Sequence, residues 1–401
     1  MLKQLKSLKP YVITYIGLIF LYMVLMLAVY SIPNSMVEDN VKLSLDFLEL
    51  EGTGPLYTFY TNAARTDNYS DTIIYQEVLR EDNASILYSA MDNQDYARYW
   101  HGHSLYMRPL SVFFDIRQVR YLLMIVFYAL AAVTLYHIQR RFGLKIAVPF
   151  LAGFLMIYPN TVSTCLQLTA IFLVTLSFTT IILKTGDGHP ERIGLLLFLS
   201  GSVANFFDLL TIPMLSFGIP LIFALLMNKG SVRDKILLMI RTGIAWVTGY
   251  GGTWAAKWVI GTIVLKRNVI SDALSTAIYR IDGKEDWFDI NYPDMFRYNI
   301  TNILPPFSMA CNLVLLGLLA AATVIFAIQS QKARERMKEL WPLLLVAASP
   351  YAWYTVLLNH SCIHSFFTYR LQMITVVALG ICFSEILCAF LKERKEKLPQ
   401  V

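Results

Sequence analysis

Hydrophobic and polar positions in this chain alternate on the scale of whole helices. Tyr11 to Val37 contains no Asp, Glu, Lys or Arg, and neither does Tyr121 to Gln139, Ile146 to Leu183 or Thr301 to Gln331. Apolar runs of about 20 residues have the length of membrane-crossing helices, whereas the strands of a membrane barrel alternate over about ten residues. The run from Ile146 is long enough for two spans, with Pro159-Asn160 near its middle as a turn signal. Ile193 to Met227 is interrupted only by Asp208 and divides around Asn205 to Pro213. Ile236 to Leu265 reads as one long span, and Leu340 to Leu391 as two, divided by NHSCIHSFFTYR at residues 359 to 370. The pattern predicts about ten helices in a single transmembrane domain covering residues 1–401. The first half of each divided run is short enough to tilt or re-enter.

Composition agrees with this all-α polytopic class. The chain is 56% hydrophobic and only 15% charged, against about 25% charged residues in soluble domains, and its mean hydropathy is +0.51. Charge then sets a predicted orientation. Lys3, Lys6 and Lys9 precede span 1; Arg140, Arg141 and Lys145 follow span 2; Lys184 and Arg192 follow span 4; and Lys229, Arg233 and Lys235 follow span 6. Lys332, Arg334, Arg336 and Lys338 follow span 8, and Lys392, Arg394, Lys395 and Lys397 follow span 10. All of these clusters fall on one face when ten spans are counted, which predicts a plasma-membrane protein with both termini cytoplasmic. The net charge of +6 is then an answer to anionic membrane lipid and gives no reason to expect a nucleic-acid partner.

Two long loops follow on the extracytoplasmic side, residues 33–118 and 266–306, together with the shorter breaks at Pro159-Asn160, Asn205 to Asp208 and 359 to 370. The first loop is acidic, its carboxylates including Glu38, Asp39, Asp67, Asp71, Glu77, Glu81, Asp82, Asp95 and Asp115. Cys165, Cys311, Cys382 and Cys388 fall in predicted spans and leave Cys362 as the one outer thiol, so no disulfide framework is expected. No small-residue cleavage site follows the first apolar run, which reads as a retained span. Internal repeats, a P-loop and a glycine-rich nucleotide fingerprint are not found in the sequence.

The candidate chemistry sits in the loops. Asp67 and Asp71 in RTDNYSD are four residues apart and would share a helix face, where either would serve as general base; the structural alternative is a helix N-cap or a solvated acidic face. RYWHGHSLYMRPL, residues 98 to 110, gathers Tyr99, Trp100, His101, His103, Tyr106 and Arg108, of which the aromatics also suit an interfacial belt. His360 and His364 share a helical face and are followed by Tyr369 and Arg370 at the start of span 10, so these groups are expected to converge with those of the first loop. Zinc held by His360, His364, His101 or His103 and an aspartate is one reading, without the spacing of a known zinc motif, and a structural hydrogen-bonding role is the other. Asp208 and Lys257 lie at membrane depth and read as a functional or structural ion pair. Glu385, inside span 10, has no role beyond snorkelling to the boundary.

Carboxylates, cations and aromatic rings at a bilayer edge suit the transfer of a sugar from a lipid phosphate. Arg108, Arg370 or Lys257 would neutralise the phosphate, one carboxylate would deprotonate the acceptor hydroxyl, and rings such as Trp100 and Tyr106 would stack on sugars. With RTDNYSD, YWHGHSLYMRPL, NFFDLLTIP and NHSCIHSFFTYR in its loops, the chain resembles the GT-C superfamily of polyprenyl-phosphate-sugar-dependent membrane glycosyltransferases, in particular bacterial proteins of cell-surface polysaccharide biosynthesis. The resemblance implies an inverting transfer from a polyprenyl-phosphate-linked sugar to a glycan or lipid-linked acceptor. It also implies an acidic residue in the first loop as base or metal ligand, so that a divalent metal is an option though no cofactor is required. The family places that acid early; here Glu38-Asp39 is the early pair, while Asp67 and Asp71 lie well beyond it. Arg108, Arg370, His360 and His364 would contact the donor phosphate. Two other classes compete: a transporter or flippase of a lipid-linked saccharide, which needs a polar path to the other face, and a non-catalytic membrane scaffold.

Overall fold

A computed structural model of the chain describes residues 2–56, 62–79, 84–92, 96–284, 289–304 and 307–397, and leaves aside the side chains of 2–7 and 282. Glu81, Asp82 and Asp95 of the acidic first loop, and Pro306 at the end of the second, lie outside the described residues. The protein is nearly all helical, at 82%. Helix α1 (Leu2–Tyr30) leads into the first loop, which folds into α2 (Glu38–Glu51), α3 (Asn68–Gln76), α4 (Ile86–Met91) and α5 (Ser104–Leu110). Next come α6 (Ile116–Phe142), α7 (Leu144–Met156), the short α8 (Pro159–Thr164), α9 (Leu166–Thr185), α10 (Pro190–Phe207), α11 (Leu215–Met227) and α12 (Val232–Leu265). The second loop forms α13 (Val269–Asp282) and α14 (Tyr292–Thr301). After it follow α15 (Met309–Gln329), α16 (Gln331–Leu340), α17 (Pro342–Val356), the short α18 (Leu358–Ile363) and α19 (Ser365–Thr368), and α20 (Met373–Lys397).

Every place that the charge-free runs mark as a span is helical, but the helices are unequal. Among the described residues, five stretches are long and apolar enough to cross a membrane: Leu8–Tyr30, Ile116–Phe142, Leu166–Thr185, Met309–Gln329 and Ser365–Lys397. Helices α7 and α11 have 13 residues each, about 20 Å at 1.5 Å per residue, while a hydrocarbon layer is about 30 Å thick. Helices α10 and α12 have the length, at 18 and 34 residues, but α10 opens on Glu191-Arg192 and α12 carries Arg241 and Lys257. The protein is an all-α membrane protein in which long apolar helices alternate with short ones that stop at polar breaks.

Local sequence explains the helix starts and the breaks. Asp115 with Gln118 forms a capping box at the start of α6, and Ser231 with Asp234 forms one at α12, each satisfying backbone N–H groups that a helix start leaves open. Tyr158 precedes Pro159, whose ring disfavours a right-handed helical neighbour, and it takes a left-handed conformation with φ 55° between α7 and α8. Leu210 (φ 64°) after α10 and His101 (φ 52°) before α5 do the same. Left-handed backbone is costly for residues with a Cβ and persists only where the surroundings hold it.

The core is a continuous apolar cluster shared by α6, α7, α9, α10, α11, α17 and α20, including the fully buried Phe127, Phe150, Phe172, Leu197, Ile222 and Ile374. Helices α10 and α12 meet backbone to backbone: a Cβ on Gly249 would lie 2.1 Å from the Phe198 carbonyl oxygen, and one on Gly201 would lie 2.4 Å from that of Trp246. Small residues allow such approach where helices pack without help from water. Gly249→Ala is therefore expected to lower the thermal unfolding midpoint of the detergent-solubilised protein, at an overpacking cost of about 1–3 kcal/mol. An unchanged midpoint would show that the two backbones stand further apart.

The basic ends of several helices gather at one end of the bundle. Glu385 of α20 is held by Lys145 of α7 at 2.7 Å and by Arg336 of α16 at 2.8 Å, so it has a structural role that the sequence does not reveal. Arg336 also binds Glu339 at 2.6 Å, and Lys235 of α12 donates to the Glu339 carbonyl at 3.2 Å. The helix breaks and the first loop lie at the opposite end, where α9 begins and α10 and α12 finish.

Candidate functional site

At the break end, a cavity of about 580 Å³ opens between the start of α3, the α13 helix and the connection from α17 to α20. Its polar walls come from Arg65, Asp67, Gln167, Arg280, His360 and His364. Tyr69, Tyr96, Tyr298, Phe366 and Phe367 supply aromatic surface around them.

Asp67 is the N-cap of α3, which the Asp-x-x-Ser spacing explains: its Oδ1 accepts the Ser70 N–H at 3.2 Å, closing the first turn. Its Oδ2 accepts from the Ser70 hydroxyl at 2.8 Å and from the Gln167 amide. Burial pushes its carboxyl above the usual range, while Ser70, Gln167 and the nearby Arg65 draw it back down. The result is a carboxylate fixed in direction, ringed by donors and facing a cavity.

Asp71 does not share that position. It is fully buried, bound to Arg120 of α6 at 3.2 Å and to the Leu166 N–H at 2.9 Å. Burial pushes its carboxyl up to about 7, opposed mainly by Arg120. Arg120 also reaches Glu51 at 2.7 Å and Asn68 at 2.9 Å, so Asp71 belongs to a buried knot joining α2, α3, α6 and α9. The expected shared acidic face is thus divided, with one carboxylate at the cavity and one behind it.

The cations of the cavity are Arg65 and Arg280, which the sequence reading did not single out, and they stand beside His360 and His364, which it did. Arg280 of α13 contacts His364 Nε2 at 2.9 Å. A guanidinium only donates, so His364 Nε2 accepts, which makes that ring neutral with its proton on Nδ1. Burial holds His364 well below the usual imidazole range, and His360, Arg280 and Arg65 add to the effect. His360 lies with its ring centroid 4.9 Å from that of His364, its Nε2 facing the Thr211 carbonyl at 3.5 Å. Burial lowers it to about 3, with Arg280 contributing, and its Nδ1 has no hydrogen-bond partner among the described residues. Arg65 sits over the Phe366 ring at 5.0 Å, and its Nε likewise has no partner among the described residues.

Behind Asp67 a chain of polar groups runs into the bundle. Gln167 accepts from the Thr211 hydroxyl at 2.8 Å, the Thr211 N–H donates to Asp208 at 2.8 Å, and the Tyr250 hydroxyl donates to the other Asp208 oxygen at 2.8 Å. Asp208 therefore supports the cavity wall and does not pair with Lys257. Lys257 is seven residues beyond Tyr250 on α12, about 10 Å along the axis. There it donates to the Met91 carbonyl at 2.8 Å and lies 5.8 Å from the centre of the Trp100 ring.

The other anticipated ligands are structural. Arg108 donates to the carbonyls of Val78 and Ile32 and to Asn34, beneath the end of α1. Arg370 donates to the carbonyls of Ile157 and Ala63, each at 2.9 Å, and of Phe366 at 2.8 Å, and the Tyr369 hydroxyl also donates to Ala63 at 3.2 Å. These arginines satisfy backbone carbonyls at and around the helix ends, and neither is among the residues lining the cavity. His101 contacts the Tyr96 carbonyl at 3.2 Å, and His103 lies among the rings of Tyr106 and Phe207. Trp100 donates to the Thr253 carbonyl at 2.8 Å inside a packed cluster with Tyr22 and Phe206. His101 and His103 do not line the cavity that His360 and His364 share, and among the described residues no group of three or more His, Cys, Asp or Glu is arranged to hold a metal ion. The zinc set considered from sequence does not assemble.

What fold and site define together is an all-α membrane protein with an aromatic, cation-lined cavity around one oriented carboxylate at the break end of its bundle. The chain matches no protein-family model, and no curated protein or solved structure shows significant similarity to it.

Proposed function

We propose that this protein is a membrane glycosyltransferase that moves a sugar from a polyprenyl-phosphate donor to a cell-surface glycan or a lipid-linked acceptor, with inversion at the sugar carbon. The observation that carries the reading is the placement of Asp67 in the same cavity as Arg65, Arg280, His360 and His364, with aromatic rings between. Asp67 takes the proton of the acceptor hydroxyl as its oxygen attacks the anomeric carbon. The bond from that carbon to the phosphate oxygen breaks, its electron pair leaves with the polyprenyl phosphate, and Arg65 and Arg280 balance the departing charge. Neutral His364 offers its Nδ1–H as a further donor, and Tyr69, Tyr96 and Tyr298 suit the faces of sugar rings.

In this reading the chain makes ten passes, both termini are cytoplasmic, and the cavity opens on the extracytoplasmic side of the plasma membrane. The meeting of Lys145, Lys235 and Arg336 at the end remote from the cavity supports that orientation through the bias of basic residues toward the cytoplasm. A transporter of lipid-linked saccharide fits less well, because the core shared by α7, α9, α11 and α20 is a packed apolar cluster in which buried hydroxyls such as those of Thr175, Thr179, Ser216 and Thr375 are bound to backbone carbonyls. The direct test is binding of a polyprenyl monophosphate to the purified protein by native mass spectrometry. Wild type is expected to retain the lipid, and Arg280→Gln to weaken retention by about 10- to 100-fold, the scale of a charge-assisted hydrogen bond of about 1.5–3 kcal/mol. Equal retention of the monophosphate and the corresponding uncharged polyprenol by wild type would discard the reading.

A further inference from the structure

Helix α13, which delivers Arg280 to the cavity, has three chemically distinct faces. Ile270, Leu274, Ile278 and Ile281 are 36%, 52%, 65% and 44% exposed, and they form one apolar row within about 80° of arc at 3.6 residues per turn. Val269 and Ala273 are buried on a second face, which Arg280 shares. Ser271 and Ser275 are exposed on a third, beside Asp272, which binds Arg98 at 3.2 Å. A helix on a water-surrounded surface needs two faces; a third, apolar and exposed, calls for a separate apolar medium.

The exposed row does not begin with α13. On α12, Ile240, Ile244, Val247, Val259 and Ile263 are exposed at helical spacing, and Ile263, 71% exposed, comes one short turn before Ile270. Lys266, in a left-handed conformation with φ 53°, makes that turn with Arg267 and Asn268. Arg267 binds Asp92 of the first loop at 2.6 Å, so the polar corner between the two helices is fastened to the protein. The apolar belt of a long bundle helix therefore continues directly onto the row of α13.

We infer that α13 lies in the surface of the bilayer, with its Ile/Leu row in the outermost hydrocarbon, its serine face in water and the face that carries Arg280 forming the lipid-side wall of the cavity. This fixes Arg280 at the depth of lipid phosphate groups. The occupant of the exposed row is acyl chain, supported by its continuity with the belt of α12 and by the lack of any cationic side chain within the row itself.

Site-directed spin labelling in proteoliposomes tests the placement. Labels are attached to Leu274→Cys, Ile278→Cys and Ser275→Cys after the two exposed thiols, Cys311 and Cys388, are replaced by serine. Labels at 274 and 278 are expected to relax several-fold more with dissolved oxygen than with a water-soluble nickel chelate, and the label at 275 to show the reverse. Nickel-accessible labels at 274 and 278 would place the row in water, and labels shielded from both agents would place it against protein; either result overturns the inference. Failure of the protein to bind lipid phosphate would remove the proposed activity while leaving these accessibilities unchanged, so the two ideas fail separately.

Discussion

Asp67→Asn should reduce sugar transfer by about 10²- to 10⁴-fold, the usual contribution of a positioned general base, while leaving the protein folded and able to retain donor. The substitution is selective for a structural reason. Asn is as good an N-cap as Asp, so the first turn of α3 should persist, and the Gln167 amide can reverse to donate or accept as required. What disappears is the basic oxygen facing the acceptor. The wild-type pH profile carries the same information. The proposed base, Asp67, would act only when ionised, and burial raises its pKa, so activity should be full at high pH and fall as pH drops through a value above the ordinary carboxylate range of about 4. Single-turnover transfer in proteoliposomes, measured beside donor retention, checks both. Wild-type turnover in Asp67→Asn would remove the base assignment.

For stability, the largest effect is expected at Arg120. This guanidinium is shared by Asp71, Glu51 and Asn68, and Asp71 has no exposed surface. Arg120→Met keeps the volume of the side chain but deprives two acids of their shared cation, and removing one partner of a buried ion pair costs about 3–5 kcal/mol. Thermal unfolding in detergent should show a large downward shift, with loss of expression as the extreme form. Adding Asp71→Asn and Glu51→Gln to Arg120→Met removes the uncompensated charges and should recover part of the loss. A single variant that unfolds at the wild-type temperature would show that the knot contributes nothing to the fold. The contrast with Asp67 matters: one substitution should stop chemistry in a folded protein, the other should unfold it.

The helical layout was legible because it follows from a local property. A stretch without charge, long enough to be a helix, forms one wherever its neighbours are, and Pro159, Asp208 and the 359–370 segment all coincide with real breaks. The length of each helix was less legible, because the left-handed turns at Tyr158 and Leu210 are imposed by packing. In the site, RTDNYSD reaches the cavity through Asp67, which combines a cap position with a cavity position, and Arg65, which opens the same motif, was passed over. Gln167 and Arg280 gave weak signals, a single amide at the head of an apolar helix and one arginine in a long loop. Arg108, Arg370 and Lys257 were misread for one physical reason. Cations near a membrane surface suggest anionic ligands, yet each of these binds backbone carbonyls that only the folded chain brings within reach. The same limit applies to His101 and His103, whose place outside the cavity depends on how the first loop lies across the bundle.

Arg370 ties together three segments that are remote in the chain: Ala63 of the first loop, Ile157 at the first break and Phe366 beside it, with 307 positions separating it from Ala63. Since translation runs from the N-terminus, the loop that carries Asp67 emerges long before the side chain that locks its neighbour in place. Until the segment around Arg370 is in place, the cavity lacks His360, His364, Phe366 and Phe367, which come from the same connection. Assembly of the cavity thereby waits on a side chain made 307 positions after Ala63, and a nascent chain that stops short of it exposes no organised pocket to the lipids around it.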